Sequence, residues 1–335
     1  MSLPTHAFLD TSVFDGQQYN FSSSTFTTFI PVAVRLGITL LLPDPTEREV
    51  KRHIRERSEE ALRALKLARR STPFLRKWKH FPQWPRDSAE SWELHRIAID
   101  EWTSFLGQLP IIRCGYDGVQ ISTIMNWYDT AQAPFASGRK RKEFPDALAV
   151  AILDAYARRH EVHIAVVSSD HDFRLACERF SSLLHFSSLP HLTELLTSEP
   201  EKIRHIKTMI QAALPVIEDI ARASQLSFYY YDDNYEIEHS EIRNISITNI
   251  NVVAIGDGVC TATFDAIVDS LHTVHIHEWC SPEYYAQEDE VDEIVNCALI
   301  PGVAKILLDK KSHSVLGVPF FELDESEIRV SGNDP

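Results

Sequence analysis

Five acidic residues stand where a single chemistry would want them. Asp10 closes an apolar run, Glu49 falls near the start of a helical stretch, Asp146 opens another, and Asp170 and Asp172 follow a strongly β-prone segment. Hydrolysing a phosphodiester through metal ions needs hard oxygen ligands that leave coordination positions open to water and substrate. Several carboxylates converging on one or two Mg2+ or Mn2+ ions meet that need. Each acid also has an ordinary structural reading. Thr46-x-x-Glu49 has the form of a capping box, Asp146 after Pro145 suits the positive end of a helix dipole, and Asp170 or Asp172 can cap the helix after their strand. Asp10 is hardest to explain this way, because an acid closing an apolar strand of a parallel sheet serves little structural purpose. Four ordered coincidences are a poorer account than one site.

The elements that must position these acids can be read from periodicity. Ala7-Phe8-Leu9 forms a first strand ending at Asp10, and Phe26 to Leu36 forms a helix stopped by Gly37. Ile38 to Leu42 is a buried strand, and a long helix runs from about Thr46 to Arg70. Ser71 to Pro85 reads as a loop, Ser88 to Leu106 as a helix and Ile111 to Arg113 as a short strand. A basic loop from Ala136 to Lys142 precedes the helix opened by Asp146, which reaches about Arg159. Val162 to Val167 is a strand and Phe173 to Phe180 a helix. Strands alternating with helices predict a parallel sheet covered on both faces, and such α/β sheets bind ligands at the carboxyl ends of their strands.

From about Leu226 the texture changes to β-rich alternation, with a Gly256-Asp257-Gly258 turn between Ile245 to Ile255 and Val259 to Ile276. The expected organisation is a catalytic domain over 1–198 with a helical insertion at about 55–132, a connecting helix over 199–224, and a smaller β-rich domain over 225–335. Charge divides at the same place. The chain carries −15 in all, but residues 1–224 hold 28 Lys+Arg against 27 Asp+Glu, a balance of +1, while residues 225–335 hold 5 against 21, a balance of −16. The basic residues cluster, with Lys51, Arg52 and Arg55 on one helix and Arg139, Lys140, Arg141 and Lys142 in the loop before Asp146. Such clusters can follow a phosphate backbone, although a charged helix face can also be simply solvated. The acidic domain is expected either to screen them in cis or to dock a protein partner or a second copy.

Four segments carry a family resemblance. Phe8-Leu9-Asp10-Thr11-Ser12-Val13-Phe14 resembles the opening strand-and-acid motif of PIN domains, and Thr46-Glu47-Arg48-Glu49-Val50 resembles the second motif. Phe144-Pro145-Asp146-Ala147-Leu148-Ala149 is similar to the third, and Val166-Val167-Ser168-Ser169-Asp170-His171-Asp172-Phe173 to the fourth. No single motif is specific, but the ordered set over roughly residues 5 to 190 is. The long stretch from about Arg55 to Gln132 departs from the smallest members and brings the chain nearer the larger PIN-like proteins, while the tail lies outside the pattern. The resemblance implies a three-layer α/β/α domain, a Mg2+ or Mn2+ site and endoribonuclease activity, with many relatives acting as toxins or as RNA-processing or defence enzymes. It further implies Asp10 and Asp170 as direct ligands and Asp146 as completing the site. Glu49 would ligate the ion or orient the attacking water, with Asp172 as a further acid and Ser12 and Ser168 as hydrogen-bond partners of the ligands. The substrate expected is RNA, with single-stranded DNA left open.

Other readings are weaker. A haloacid-dehalogenase-like phosphatase also places an Asp after its first strand but wants a second acid two residues on, where Ser12 stands. A PIN-like scaffold that binds RNA or a partner without cutting is the remaining alternative. The five cysteines form no CxxC pair, and His275-x-His277-Glu278 has no partner pair at zinc-module spacing, so neither disulfides nor zinc is expected. Trp78, Trp84, Trp92, Trp102 and Trp127 are read as packing or anchoring residues rather than base-stacking ones. No apolar run approaches the roughly 20 residues that span a bilayer and no secretory leader is evident, so the chain is expected in the cytoplasm and away from membranes.

Overall fold

The computed structural model describes residues 4–72, 74, 77, 89–135, 144–197, 200–230, 235–256, 258–276, 290–309 and 314–330. The chain divides into two compact units, Met1–Leu192 and Thr193–Pro335.

The first unit is built on five parallel strands, β1 (His6–Leu9), β2 (Thr39–Pro43), β3 (Ile111–Cys114), β4 (Ile164–Val167) and β5 (Leu183–Phe186), in the order β3-β2-β1-β4-β5. The two central strands, HAFL and IAVV, are apolar at nearly every position because both faces are covered, as expected of a parallel sheet. Their register pairs Phe8 with Val166 and Leu9 with Val167, so the residues that leave the sheet next, Asp10 and Ser168, emerge side by side. Asp10 N donates to Val167 O at 2.9 Å, which carries the pairing one step beyond the strand.

Eight helices are described around this sheet: α1 (Thr11–Gly16), α2 (Ser24–Leu36), α3 (Asp44–Ser71), α4 (Ala89–Leu106), α5 (Ile121–Asp129), α6 (Phe144–His160), α7 (His171–Cys177) and α8 (Leu189–Thr197), the last running across the boundary between the units. Phe8, Leu41, Ile164 and Val166 share a core with Ile124 and Trp127 of α5, Ala147 and Val150 of α6 and Phe173 of α7. The alternate positions Ala7, Leu9, Leu40, Leu42, Ala165 and Val167 are equally buried and point to the opposite face. Phe14, Phe26, Trp102 and Phe105 knit α1, α2 and α4 together, with Trp102 edge-on to Phe14 at 5.1 Å.

Trp102 and Trp127 are therefore core residues, whereas Trp92 is exposed beside Arg96, and Trp78 and Trp84 lie outside the described residues. The stretch read as a helical insertion also holds β3, which pairs with β2 and completes the sheet. Strand β3 corresponds to the short strand read over Ile111 to Arg113 and extends it by one residue to Cys114. Among the described residues no helix is long and apolar enough to cross a membrane.

In the second unit, the single helix expected over 199–224 is two, α9 (Pro200–Ala212) and α10 (Leu214–Ala223). Pro215 lies in the first turn of α10, where its missing N–H costs nothing, whereas inside one continuous helix it would remove a hydrogen bond and clash with the preceding turn. Four antiparallel strands follow in a meander, β7 (Tyr235–Ile255), β8 (Val259–Ile276), β9 (Glu290–Asp309) and β10 (Ser314–Leu323), with a parallel pair formed by β6 (Ser227–Tyr230) and β11 (Glu327–Val330). Ile206, Ile210 and Ile217 of the helices share a core with Ile245, Ala262, Phe264 and Ile300 of the sheet.

One buried histidine stands out in this sheet. His272 is fully buried, with Nδ1 2.8 Å from Ser240 Oγ and Nε2 2.8 Å from Ser270 Oγ. Its partners are neutral, and burial holds its pKa below the ordinary histidine value. The unfolded chain thus takes up a proton at a higher pH than the native one. Stability associated with His272 is complete above the ordinary value near 6.5 and is lost as pH falls below it towards the lowered native pKa. Urea unfolding of the second unit's signal across pH 5 to 8 should show this acid-side loss, and His272→Gln should flatten it. An unchanged slope in the variant would remove His272 as the cause.

Candidate active site

The sheet's chain order reverses between β1 and β4, since the chain leaves β1 towards β2 on one side and leaves β4 towards β5 on the other. The crevice at the carboxyl ends of two such strands is where open α/β sheets bind ligands. Asp10 and Ser168 occupy that position.

Asp10 is 7% exposed and caps α1. Its Oδ2 receives Ser12 Oγ at 2.6 Å, Ser168 Oγ at 2.8 Å and, more loosely, Ser12 N at 3.4 Å. Each serine accepts in turn from the chain after β4: Ser169 N donates to Ser12 Oγ at 3.2 Å, and Asp170 N donates to Ser168 Oγ at 3.1 Å. The two hydroxyls therefore bridge the end of β1 to the end of β4. Burial pushes Asp10's carboxyl above the ordinary carboxylate range, against the opposing pull of the Ser12 and Ser168 hydrogen bonds. No lysine, arginine or histidine among the described residues forms an ion pair with it.

The other acids stand on elements that begin at the same edge. Helix α3 follows β2 without a loop, so its first turns start at the carboxyl edge of the sheet. Pro43 is the N-cap of α3 and makes no side-chain cap bond, so the capping box that is the alternative reading of Thr46 and Glu49 does not form; Thr46 is buried inside the helix instead. Glu49 is half-buried and accepts from Thr11 Oγ1 at 3.1 Å through Oε2 and from Arg52 Nη2 at 3.1 Å through Oε1. Thr11 was not singled out from the sequence, although its place directly after Asp10 is the signal that could have found it.

Asp146 sits in the first turn of α6, which leads into parallel β4 and so runs back across the sheet with that turn at the carboxyl edge. Asp170 is exposed and is the N-cap of α7, its Oδ1 accepting from Asp172 N at 2.6 Å and Phe173 N at 3.2 Å. Asp172 is half-buried in the first turn of α7 and is not the cap. His185 was also not foreseen; its Nε2 lies 2.9 Å from Ser168 O and steadies the end of β4.

Hydrogen bonds thus link Asp10 to Asp170 through Ser168, and Thr11, the residue after Asp10, holds Glu49. Asp146 and Asp172 share the edge by topology. Asp10, Glu49 and Asp170 accept hydrogen bonds as placed, and no group of three or more His, Cys, Asp or Glu among the described residues is arranged to hold a metal ion. Of the basic residues, Lys51, Arg52 and Arg55 are exposed on α3; Lys51 pairs with Glu47, Arg52 with Glu49 and, at 3.8 Å, Glu56, and Arg55 with Glu59. Arg139, Lys140, Arg141 and Lys142 lie outside the described residues, as do His277 and Glu278. His275 pairs with Glu238 at 2.9 Å. Cys114, Cys177 and Cys260 are buried free thiols and Cys297 an exposed one, with Cys280 outside the described residues.

A parallel sheet wrapped by helices, with a buried acid at the end of its first strand and further acids opening neighbouring helices, defines a nuclease-type α/β domain. Residues 7–173 match the family model described as PIN domain, and the chain belongs to the PIN-domain family. No curated protein and no solved structure matches it. PIN domains are generally nucleases and typically depend on divalent metals. The matched segment runs from β1 through the start of α7, so all five candidate acids fall within it and the second unit does not.

The raised pKa of Asp10 has a stability consequence. A carboxyl that binds its proton more tightly in the native state stabilises the fold only at acid pH, and that contribution is lost as pH rises from the ordinary carboxylate value through the raised one. At neutral pH the ionised group is a net cost, so Asp10→Asn should raise the thermal midpoint of the metal-free first unit above that of the parent chain. The gap should close as pH falls towards 4. A variant less stable than its parent at pH 7 would show that the serine hydroxyls outweigh burial.

Proposed function

We propose that the chain is a metal-dependent endoribonuclease that hydrolyses RNA phosphodiester bonds, with Mg2+ or Mn2+ held by Asp10, Glu49, Asp146 and Asp170. The observation that carries the reading is Asp10: a buried carboxylate at the switch point of a PIN-domain sheet, braced by two serines and lacking a cationic partner among the described residues. A buried charge without a counter-ion is costly, and a divalent cation is the partner that its oxygen donors and its neighbouring acids suit.

When bound, the ion supplies Lewis-acid charge that polarises the scissile phosphate, activates the attacking water and steadies the leaving oxygen. The chain's own residues do the positioning. Ser12 and Ser168 fix the Asp10 carboxylate, Thr11 fixes one oxygen of Glu49, and Asp170 keeps one oxygen on the α7 cap. Asp146 and Asp172, from the first turns of α6 and α7, supply further negative charge to the same edge. Lys51, Arg52 and Arg55, exposed on the helix that carries Glu49, are assigned to the phosphates that flank a scissile bond, with the Arg139–Lys142 run adding charge before Asp146. The phosphatase alternative lacks its second acid, because Ser12 occupies that position and hydrogen-bonds to Asp10.

The test is cleavage of labelled single-stranded RNA and of matching DNA by the full chain with Mg2+, Mn2+ or EDTA, beside Asp10→Asn/Asp170→Asn. Loss of a residue that orients or holds a metal typically costs about 10- to 100-fold, and the double variant should lose more. RNA cleavage that needs metal and disappears in the variant is the expected result. Preference for DNA would correct the substrate, and inactivity of folded, RNA-binding protein with both metals would replace the nuclease with a binding scaffold.

A further inference from the structure

Glu49 is held by more than the site requires. Its Oε2 takes the Thr11 hydroxyl, while its Oε1 takes Nη2 of Arg52, one helical turn along α3. An Arg–Glu pair three residues apart on a helix is ordinarily worth little, because both side chains are mobile and solvated. This arginine is not left to wander. The same Nη2 lies 3.1 Å from His53 Nε2. A guanidinium has donors and no acceptor, so Nε2 must offer its lone pair and the imidazole proton must sit on Nδ1. Nδ1 in turn faces Asp15 Oδ2 at 3.2 Å and Tyr19 Oη at 3.1 Å. Asp15 and Tyr19 come from α1 and the turn after it, a different segment of chain, and Arg57 closes the arrangement with Nη2 3.7 Å from Asp15 and its guanidinium 5.3 Å from the centre of the Tyr19 ring.

From this geometry we infer that Arg52 is a built-in counter-ion of Glu49, positioned by an arm that runs from Asp15 through His53, and that a divalent cation at the carboxylate site must displace it. The inference rests on the proposed metal site and adds a competitor that the motif acids alone do not imply. Arg52 is a positioning residue here, since it acts on the site through Glu49. The arm restricts the arginine's rotamers, so the contact costs less entropy than a free surface pair. Glu49 therefore meets an incoming cation with part of its charge already answered. Metal affinity is lowered by whatever the Arg52–Glu49 contact is worth.

The experiment is calorimetric titration of Mn2+ into the full chain and into Arg52→Gln, Arg55→Gln and His53→Phe. Arg55→Gln removes an equal charge from the same helix at a residue paired with Glu59 rather than with Glu49 or the arm, and so measures the effect of net charge. Arg52→Gln is expected to bind Mn2+ about 2- to 5-fold more tightly than the parent, the span of a single well-placed ion pair, and to exceed the Arg55→Gln effect. His53→Phe keeps a ring but loses the Nε2 acceptor, and should show part of the same gain. Equal or weaker binding by Arg52→Gln, or a gain no larger than that of Arg55→Gln, overturns the counter-ion while leaving the metal site standing. No Mn2+ binding by the parent chain would fell the site itself, and the counter-ion with it.

Discussion

The first unit is organised around the burial of one carboxylate at the junction of its two central strands. Asp10 is held where the register of β1 against β4 delivers it, and its serine partners come one from each side of that junction. A charge in that position is costly unless something answers it, and hydrogen bonds from two hydroxyls answer it only in part. The cost requires the rest of the sheet to be firm. The fully buried Ile164-Ala165-Val166-Val167 run and the aromatic stack of Phe8 on Phe173 at 5.7 Å supply that rigidity directly beneath the site.

The same constraint explains how the neighbouring acids are arranged. With β2 passing into α3 without a loop, the helix begins at the sheet edge and Glu49 falls within reach of Thr11. With β4 ending at Val167, the next three residues are consumed in one tight step, in which Asp170 caps α7 and Ser168 accepts from its backbone. A capping role and a metal-binding role are not alternatives for such a residue, because a carboxylate has two oxygens and a helix cap can use one of them. The capping explanations weighed for individual acids therefore did not compete with a shared site as strongly as their simple statement suggests. For Asp170 the cap is present, and for Glu49 it is absent.

Much of the first unit was legible in its sequence for definite reasons. Uninterrupted apolar runs mark β1, β2 and β4 because parallel central strands are covered on both faces, and Gly37, in the left-handed conformation at φ 66°, marks the end of α2. The elements that the sequence reading does not include are short: β5 has four residues, α1 has six and opens on the Asp10 cap, and α5 and α8 have nine each. The candidate acids were visible because strand-end position is a local property. What joins them was not, since Thr11 to Glu49 and His53 to Asp15 each span 38 residues and depend on how α1 meets α3. In the sequence His53 is one more member of a basic run beside Lys51 and Arg52. Only its two ring nitrogens, one against a guanidinium and one against a carboxylate, distinguish it from a solvated neighbour.

The second unit shows the limit of the same reading. Alternation over Ile245 to Ile276 correctly signals a sheet with one covered face, since the inward positions pack on Ile206, Ile210 and Ile217 and the outward ones carry Thr248, Asp265 and Asp269. An antiparallel sheet with one open face needs polar residues at every second position of long strands. That arrangement accommodates much of the acidity of residues 225–335 without any reference to a ligand. Yet the pattern is not uniform: Val291, Val295 and Leu299 of β9 are more than half exposed, on the same face as Glu293. The strand's alternation places them outward while its composition would place them inward, and Ile294 and Ile300 take the covered positions instead. Period therefore prevailed over hydrophobicity in setting the register, because shifting β9 by one residue would move Ile294, Ile300, Ala304 and Ile306 out of the core together.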